Sequence, residues 1–289
     1  MSRVKFLLSF SFLLFSYALI FAQNVTEKTF NNVSEVNVLG KFMTVTINGE
    51  DRNNIEVKTD LNDRATEYYK VDLKQSGDKL LIEVIALHQK NNWGDIKGEI
   101  HIKAPKNIEL DVTNSSGSVD VKYINSENFS LRASSGSLNL DNISAKNVKL
   151  RTASGNIHTN DIKGSNVDIV SSSGSQRLES IEGNLQSVAS SGSINLSKFK
   201  GEISLKSSSG RISGDEITLI NSGKFRSSSG SIHIELTNKQ SDLSFNCNSS
   251  SGGIRIGNER GGKKIILREG DIQIEAISSS GSQNFSFVQ

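Results

Sequence analysis

The sequence predicts an all-β protein: a single-stranded β-solenoid with coils of about 19 residues behind an N-terminal β cap. Three observations predict it. A serine–glycine turn recurs at near-constant spacing, apolar and polar residues alternate on both sides of each turn, and Pro105 is the single proline in 289 residues.

The turn reads SSGS at Ser115–Ser118 and Ser134–Ser137, ASGN at Ala153–Asn156, and SSGS at Ser172–Ser175 and Ser190–Ser193. It continues as SSGR at Ser208–Arg211, SSGS at Ser228–Ser231, SSGG at Ser250–Gly253 and SSGS at Ser279–Ser282. Its glycines are Gly117, Gly136, Gly155, Gly174, Gly192, Gly210, Gly230, Gly252 and Gly281, spaced by 19, 19, 19, 18, 18, 20, 22 and 29 residues. Each is preceded by a serine: Ser116, Ser135, Ser154, Ser173, Ser191, Ser209, Ser229, Ser251 and Ser280. Stacked as a column, these hydroxyls can donate and accept along the corner, and the glycine permits a φ > 0 bend. A column of equivalent serines without an accompanying histidine column is not a set of nucleophiles.

Counted from each glycine, positions −7 and −5 are mostly apolar, as in Phe129 and Leu131 or Val148 and Leu150. Positions +2 and +4 behave alike (Val119 and Val121, Leu138 and Leu140), and +7 adds Ile124, Ile143, Ile162, Ile181, Phe199 and Ile217. Two apolar residues around one polar residue mark a strand with one buried face. One unit cannot bury that face alone, so like stacks on like. With coils about 4.8 Å apart in sequence order, the repeats make a rod on the order of 40 Å long. Parallel crossovers favour a right-handed path.

Residues 1–22 read as a secretory signal peptide: Arg3 and Lys5, an apolar run Phe6–Phe21, and small Ala22 before Gln23. Without it the 33 basic residues fall to 31, equal to the 31 acidic ones, so net charge gives no argument for nucleic acid. After the leader no transmembrane segment is expected. The single cysteine, Cys247, falls in the inward −5 column and reads as a small buried hydrophobe.

Residues 23–109 form a β lead-in and cap, and 110–289 the repeats, irregular after about 237. In the lead-in Val36, Val38, Met43, Val45, Ile47, Ile55 and Val57 alternate, Asn48-Gly49 reads as a hairpin turn, and Leu80–Ile85 and Ile100–Ile102 as strands. Gln89–Gly98 is a polar loop holding Trp93, a candidate contact residue. Beyond Gly230, the polar link Thr237–Asp242 and the basic loop Asn258–Lys264 interrupt the period and predict a softer C-terminal end.

The lead-in, the stretch HIKAPKNIELDVTNSSGSVDV at His101–Val121 and the S-S-G-S-φ-x-φ turns resemble bacterial adhesin-like β-strand-repeat domains. These are the DUF4097 group, related to the DUF2807 or head-GIN auto-transporter adhesins. The resemblance covers most of the chain after the leader. It implies an exported β-solenoid and supplies no catalytic residues; its adhesin label rests on analogy.

No enzyme chemistry emerges from the residues themselves. Asp120, Asp141, Asp161 and Asp168 occupy unmatched positions, and His158 and His233 lie four coils apart. No cofactor, metal or catalytic residue is expected. The outward −4 column carries Arg132, Arg151, Lys206 and Arg226 around Val170 and Val188, a candidate face for an anionic glycan or lipopolysaccharide. The expectation is a non-enzymatic, adhesin-like module of the periplasm or cell surface, with an envelope glycan or protein as partner. The alternatives are a structural or envelope-stress protein binding another envelope protein and, more remotely, a polysaccharide-active β-helix enzyme.

Overall fold

A strand with one apolar face needs a second layer to cover it, and in a solenoid the opposite side of the same coil supplies that layer. The structure, a computed structural model, describes residues 25–88 and 95–288. The leader and Trp93 lie outside the described residues. The lead-in forms β1 (Val25–Asn31), β2 (Glu35–Lys41), β3 (Thr44–Glu50), β4 (Asn54–Leu61), a short helix α1 (Asp63–Tyr68), β5 (Tyr69–Ser76), β6 (Lys79–Ala86), β7 (Gly98–Pro105) and β8 (Glu109–Asn114). The regular coils follow as β9 (Val119–Ala133), β10 (Leu138–Thr152), β11 (Ile157–Ser171), β12 (Gln176–Ala189), β13 (Ile194–Ser207) and β14 (Ile212–Ser227). The last part holds β15 (Ile232–Leu236), β16 (Leu243–Ser249), β17 (Ile254–Ile256), β18 (Glu259–Gly261), β19 (Lys264–Arg268), β20 (Ile272–Ser278) and β21 (Gln283–Phe287).

Strands β9 to β14 stack in parallel, each a whole coil. Leu138 pairs with Val119 and Ile157, so every column keeps its place from coil to coil. The half after the turn makes face B and the half before the next turn makes face A. Between them a bend falls at Tyr123, Asn142, Asp161, Ser180, Lys198 and Glu216, each left-handed with φ of 53–59°. Side chains other than glycine take this bend in every coil, at a small strain that the ladder on both sides holds in place. The +7 residues just beyond it are buried, as are both apolar pairs.

The turn itself differs from the expectation. The turn glycines do not have positive φ; among the described glycines only Gly77, Gly183, Gly201 and Gly257 do. Their role is close approach: a Cβ on Gly174 would sit 1.7 Å from the carbonyl oxygen of Gly155, and one on Gly136 2.0 Å from that of Gly117. The preceding serines are exposed, and their hydroxyls form no ladder among the described residues. The ladder there is main-chain, as in Ser135 N–H to Ser115 O at 2.7 Å and Ser154 N–H to Ser134 O at 2.8 Å. The buried small polar residues lie two positions earlier. Thr152 Oγ1 accepts from Gly155 N–H at 3.0 Å, and Ser249 Oγ from Gly252 N–H at 2.8 Å.

The coils do not all stack in sequence order. β20 lies between β14 and β16, and β21 between β15 and β17. The coil of Gly281 is thus threaded between those of Gly230 and Gly252, which explains the spacings of 22 and 29 residues. The N-terminal end repeats the device. β2 and β3 form a coil wedged between β6–β7 and β8–β9. There Lys41 O accepts from Ser115 and Ser116, in the role a serine turn plays elsewhere. Antiparallel strands finish both ends: β5 on β6 and β4 with β1 on β7, then β19 on β16 and β18 on β17. Asn48-Gly49 is not a turn but part of β3, where a Cβ on Gly49 would meet the carbonyl of Tyr123 at 1.9 Å.

Departures from the apolar pattern are compensated inside the core. Gln176 and Ser187 occupy inward positions on opposite faces of one coil, β12, and hydrogen-bond to each other across the core; Gln176 Nε2 also donates to Ser171 Oγ at 3.0 Å and Val188 O at 2.8 Å. Leu219 and Phe225 fill the space left by Gly223. At the C-terminal end Phe225, Phe245, Phe285 and Phe287 pack edge to face at centroid distances of 5.4–6.4 Å. Cys247 is buried beside them, and burial pushes its thiol up to about 12.

Candidate functional site

A rod of this kind offers its outer columns to solvent, and their chemistry separates the two long faces. On face A the −4 cations are largely spent within the fold. Arg132 pairs with Asp111 at 2.9 Å, Arg151 with Asp168, and Arg226 with Glu275 at 3.0 Å. Each acid stands on an adjacent coil in the −6 column. Of the expected basic cluster, Lys206 alone lacks an ion pair among the described residues. Arg132 and Arg226 are also separated by several coils, so the structure does not gather these side chains into one site. Neighbouring carboxylates make face A an ordinary mixed surface.

At the corner leading into face A, Asn128, Asn147 and Asn166 form an amide ladder, in which Asn147 and Asn166 each donate to the Oδ1 of the asparagine one coil before at 3.0 Å. Glu109 closes its N-terminal end by accepting from the N–H groups of Glu127 and Asn128. An Asn at −8 in successive copies is the signal in the sequence, and the apolar periodicity masks it.

Face B is different. Its outward columns at +3 and +5 carry Arg177, Asn195, Ser213 and His233 beside Glu179, Ser197, Asp215 and Glu235. Between them lies an open depression of about 450 Å³ whose floor includes Gly214, a +4 position without a side chain. Asp215 and Glu235 share a hydrogen bond across adjacent coils. That bond, with partial burial and the charges of Asp215 and Glu216, raises the Glu235 carboxyl above its ordinary range. His233 Nδ1 lies 2.8 Å from Asn284 Nδ2 and accepts from it, which puts the neutral imidazole proton on Nε2. Asp120 and Asp141, by contrast, are tied into the same face by Asn139 and Asn160 at 2.7 and 2.8 Å. The Asp215–Glu235 pair is written in the sequence as acids at the same offset from Gly210 and Gly230, a signal that a search for aspartates alone passes over.

The arrangement can hold an extended polar ligand by hydrogen bonds from two parallel rows. Among the described residues no group of His, Cys, Asp and Glu is set to hold a metal ion, and no helix is long and apolar enough to cross a membrane.

Fold and faces together define an all-β solenoid that presents long, regular outer surfaces. The Toastrack family DUF4097 matches residues 34–285, and the chain belongs to that family. No curated protein matches it. Solved structures of similar shape include a protein from Bacteroides fragilis provisionally named an adhesin, 10% identical with a TM-score of 0.44, over 92% of this chain and 98% of that one. Another provisionally named adhesin, from Parabacteroides distasonis, is 11% identical with a TM-score of 0.45, over 91% and 98% of the two chains. A protein from the same organism provisionally named as lipid-binding is 14% identical with a TM-score of 0.46, over 92% and 98%.

Proposed function

We propose that this protein is an exported, non-enzymatic binding module of the cell envelope that holds a glycan chain along face B. The observation that carries the reading is the contrast between faces. The face A cations are neutralised by neighbouring coils, whereas face B keeps two polar rows and a hydrogen-bonded carboxyl pair beside an indentation at Gly214. Sugar hydroxyls suit such rows because each can donate to a carboxylate and accept from an amide or guanidinium. Successive coils repeat the rows about every 4.8 Å, a spacing that serves a linear polymer better than a compact ligand. The basic start and apolar run of the leader support export.

Protease shaving of intact native cells, followed by glycan-array binding of the purified protein, tests both parts. Protection should be lost with the outer envelope or at the surface. Glycan binding should fall on Arg177→Ala and Asp215→Asn but survive serine at Arg132, Arg151, Lys206 and Arg226 together. The opposite pattern of variants would move the site to face A, and recovery in the cytosol would end the reading.

A further inference from the structure

The C-terminal end of the rod carries separate chemistry, on a strand with one neighbour. Among the described residues β19 is paired on one side only, antiparallel to β16, and alternate amides and carbonyls along its far edge have no strand partner there. Its outward residues are Lys264, Ile266 and Arg268; Ile265 and Leu267 are half-buried, while Ile266 is 45% exposed. Next to it Arg255 and Arg260 face each other across β17 and β18, and Lys263 follows in the turn. Among the described residues none of these cations has an ion pair. Arg255 alone is hydrogen-bonded, to the carbonyl of Gly257 at 3.0 Å. Glu259 and Glu269 are the carboxylates of this stretch and neutralise none of them.

We propose that β19 is a docking edge for an extended acidic segment of a partner protein. The segment adds as a further strand and sets carboxylates against Lys264 and Arg268 on either side of an apolar residue opposite Ile266. Strand addition satisfies the edge amides through the main chain, and the alternating side chains give the choice of partner. The basic–apolar–basic face then meets its complement directly across the ladder, where opposite charges attract and like charges repel. A second copy of this chain does not fit: antiparallel pairing about Ile266 sets Lys264 against Arg268, and parallel pairing sets each cation against itself. An anionic lipid surface would use the cations but leave the edge amides to water. The proposal concerns the end of the rod and holds whether or not face B binds glycan.

The test uses the full chain and a fluorescein-labelled peptide, Thr-Glu-Thr-Val-Thr-Glu-Thr, read by anisotropy. Its partner probe is the same peptide N-methylated along one edge, which keeps the charge and removes the donors. The proposal predicts saturable binding of the first and binding weaker by about tenfold or more for the second. Lys264→Glu with Arg268→Glu should lose the acidic peptide by a similar factor and gain one with lysine in place of glutamate, which also shows that the variant is folded. Equal binding of both probes would overturn the proposal in favour of charge alone. Binding of phosphatidylglycerol vesicles without peptide binding would overturn it in favour of a membrane. Dimerisation through this edge, or no binding of either peptide, would also overturn it.

Discussion

The two ends of the rod are built by the same device and finished with opposite chemistry. At each, a coil from the chain terminus is threaded into the ladder, β2–β3 at one end and β20–β21 at the other, and antiparallel strands cover what remains. At the N-terminal end several charges are matched, Lys79 with Glu35 at 2.7 Å, Lys74 with Asp72 at 2.8 Å, Lys103 with Glu56 at 2.8 Å and Lys106 with Asp51 at 2.8 Å, while Lys28, Lys41, Lys58 and Lys70 have no ion pair among the described residues. Among the described residues, the C-terminal end leaves Lys264 and Arg268 without an ion pair on the free edge of β19. Threading closes a parallel stack in either case, because a coil held on both sides cannot peel away without breaking two ladders. Charge patterning is then free to differ: the edge strands β1 and β5 mix acidic and basic residues, whereas β19 carries basic ones alone.

The largest expected effect comes from breaking either seam. A Cβ on Gly117 would lie 2.0 Å from Met43 O, and one on Gly281 1.9 Å from Gly230 O, both main-chain atoms that cannot swing aside. Gly117→Ala and Gly281→Ala should each destabilise by about 3 kcal/mol or more. Hydrogen exchange should rise at the mutated end while the far end stays protected, since repeats contact only their neighbours. Gly253→Ala, where a Cβ meets nothing within 4 Å, is the control and should leave Tm unchanged.

Next in size is the buried polar pair in the middle of the rod, which belongs to neither end. Gln176→Leu strands Ser187 and the Val188 carbonyl and should cost about 2 kcal/mol in denaturant unfolding. Removing both partners, with Ser187→Ala, should recover part of that loss. Exchange at both seams should stay as in the wild type.

Acid sharpens the comparison between ends. Hydrogen bonds from Lys79, Lys103 and Lys74 hold the carboxyls of Glu35, Glu56 and Asp72 below the ordinary range. Their folded-state pKa values are depressed, so the stability they contribute is present above the unfolded values and is lost as pH falls through the folded ones. Glu235 is shifted the other way: its contribution is present at low pH and is lost as pH rises through its raised pKa, when two carboxylates oppose each other. Between pH 6 and pH 3, exchange should quicken in β5 and β6 more than in β14 and β15. The smallest effect belongs to face A, where Arg132→Ser or Arg226→Ser breaks an exposed ion pair and should change stability by less than about 1 kcal/mol.

The columns of the coil are legible in the sequence because a period near 19 repeats the same inside–outside decision many times. Phe129, Leu131, Val148 and Leu150 could hardly face elsewhere. Threading is not legible. The coil of Gly281 carries the same SSGS turn as the others, so its residues fit any slot in the stack equally well, and only the wide spacings hint at another order. The turn glycine is plain in the sequence but its role is not: the pattern cannot distinguish a glycine needed for positive φ from one needed to let two main chains touch. The left-handed bend at Tyr123, Asn142 and Asp161 is hidden because diverse residues occupy it. Of the binding surfaces, the basic column is visible, but its neutralising acids sit on other coils, and the Asp215–Glu235 pair forms only when coils stack.

Cysteine crosslinking across the C-terminal seam tests the threaded arrangement most directly. Arg226 pairs with Ile277 in adjacent strands, and both side chains are exposed. Threading predicts that Arg226→Cys with Ile277→Cys oxidises readily to an intramolecular disulfide, since neighbouring strands lie about 4.8 Å apart. Arg226→Cys with Asn248→Cys should not, because β20 intervenes and places these positions roughly 9.6 Å apart. Buried Cys247, its thiol pushed up to about 12, does not compete. Rapid crosslinking of the second pair and none of the first would mean that the coils stack in sequence order and would contradict the account.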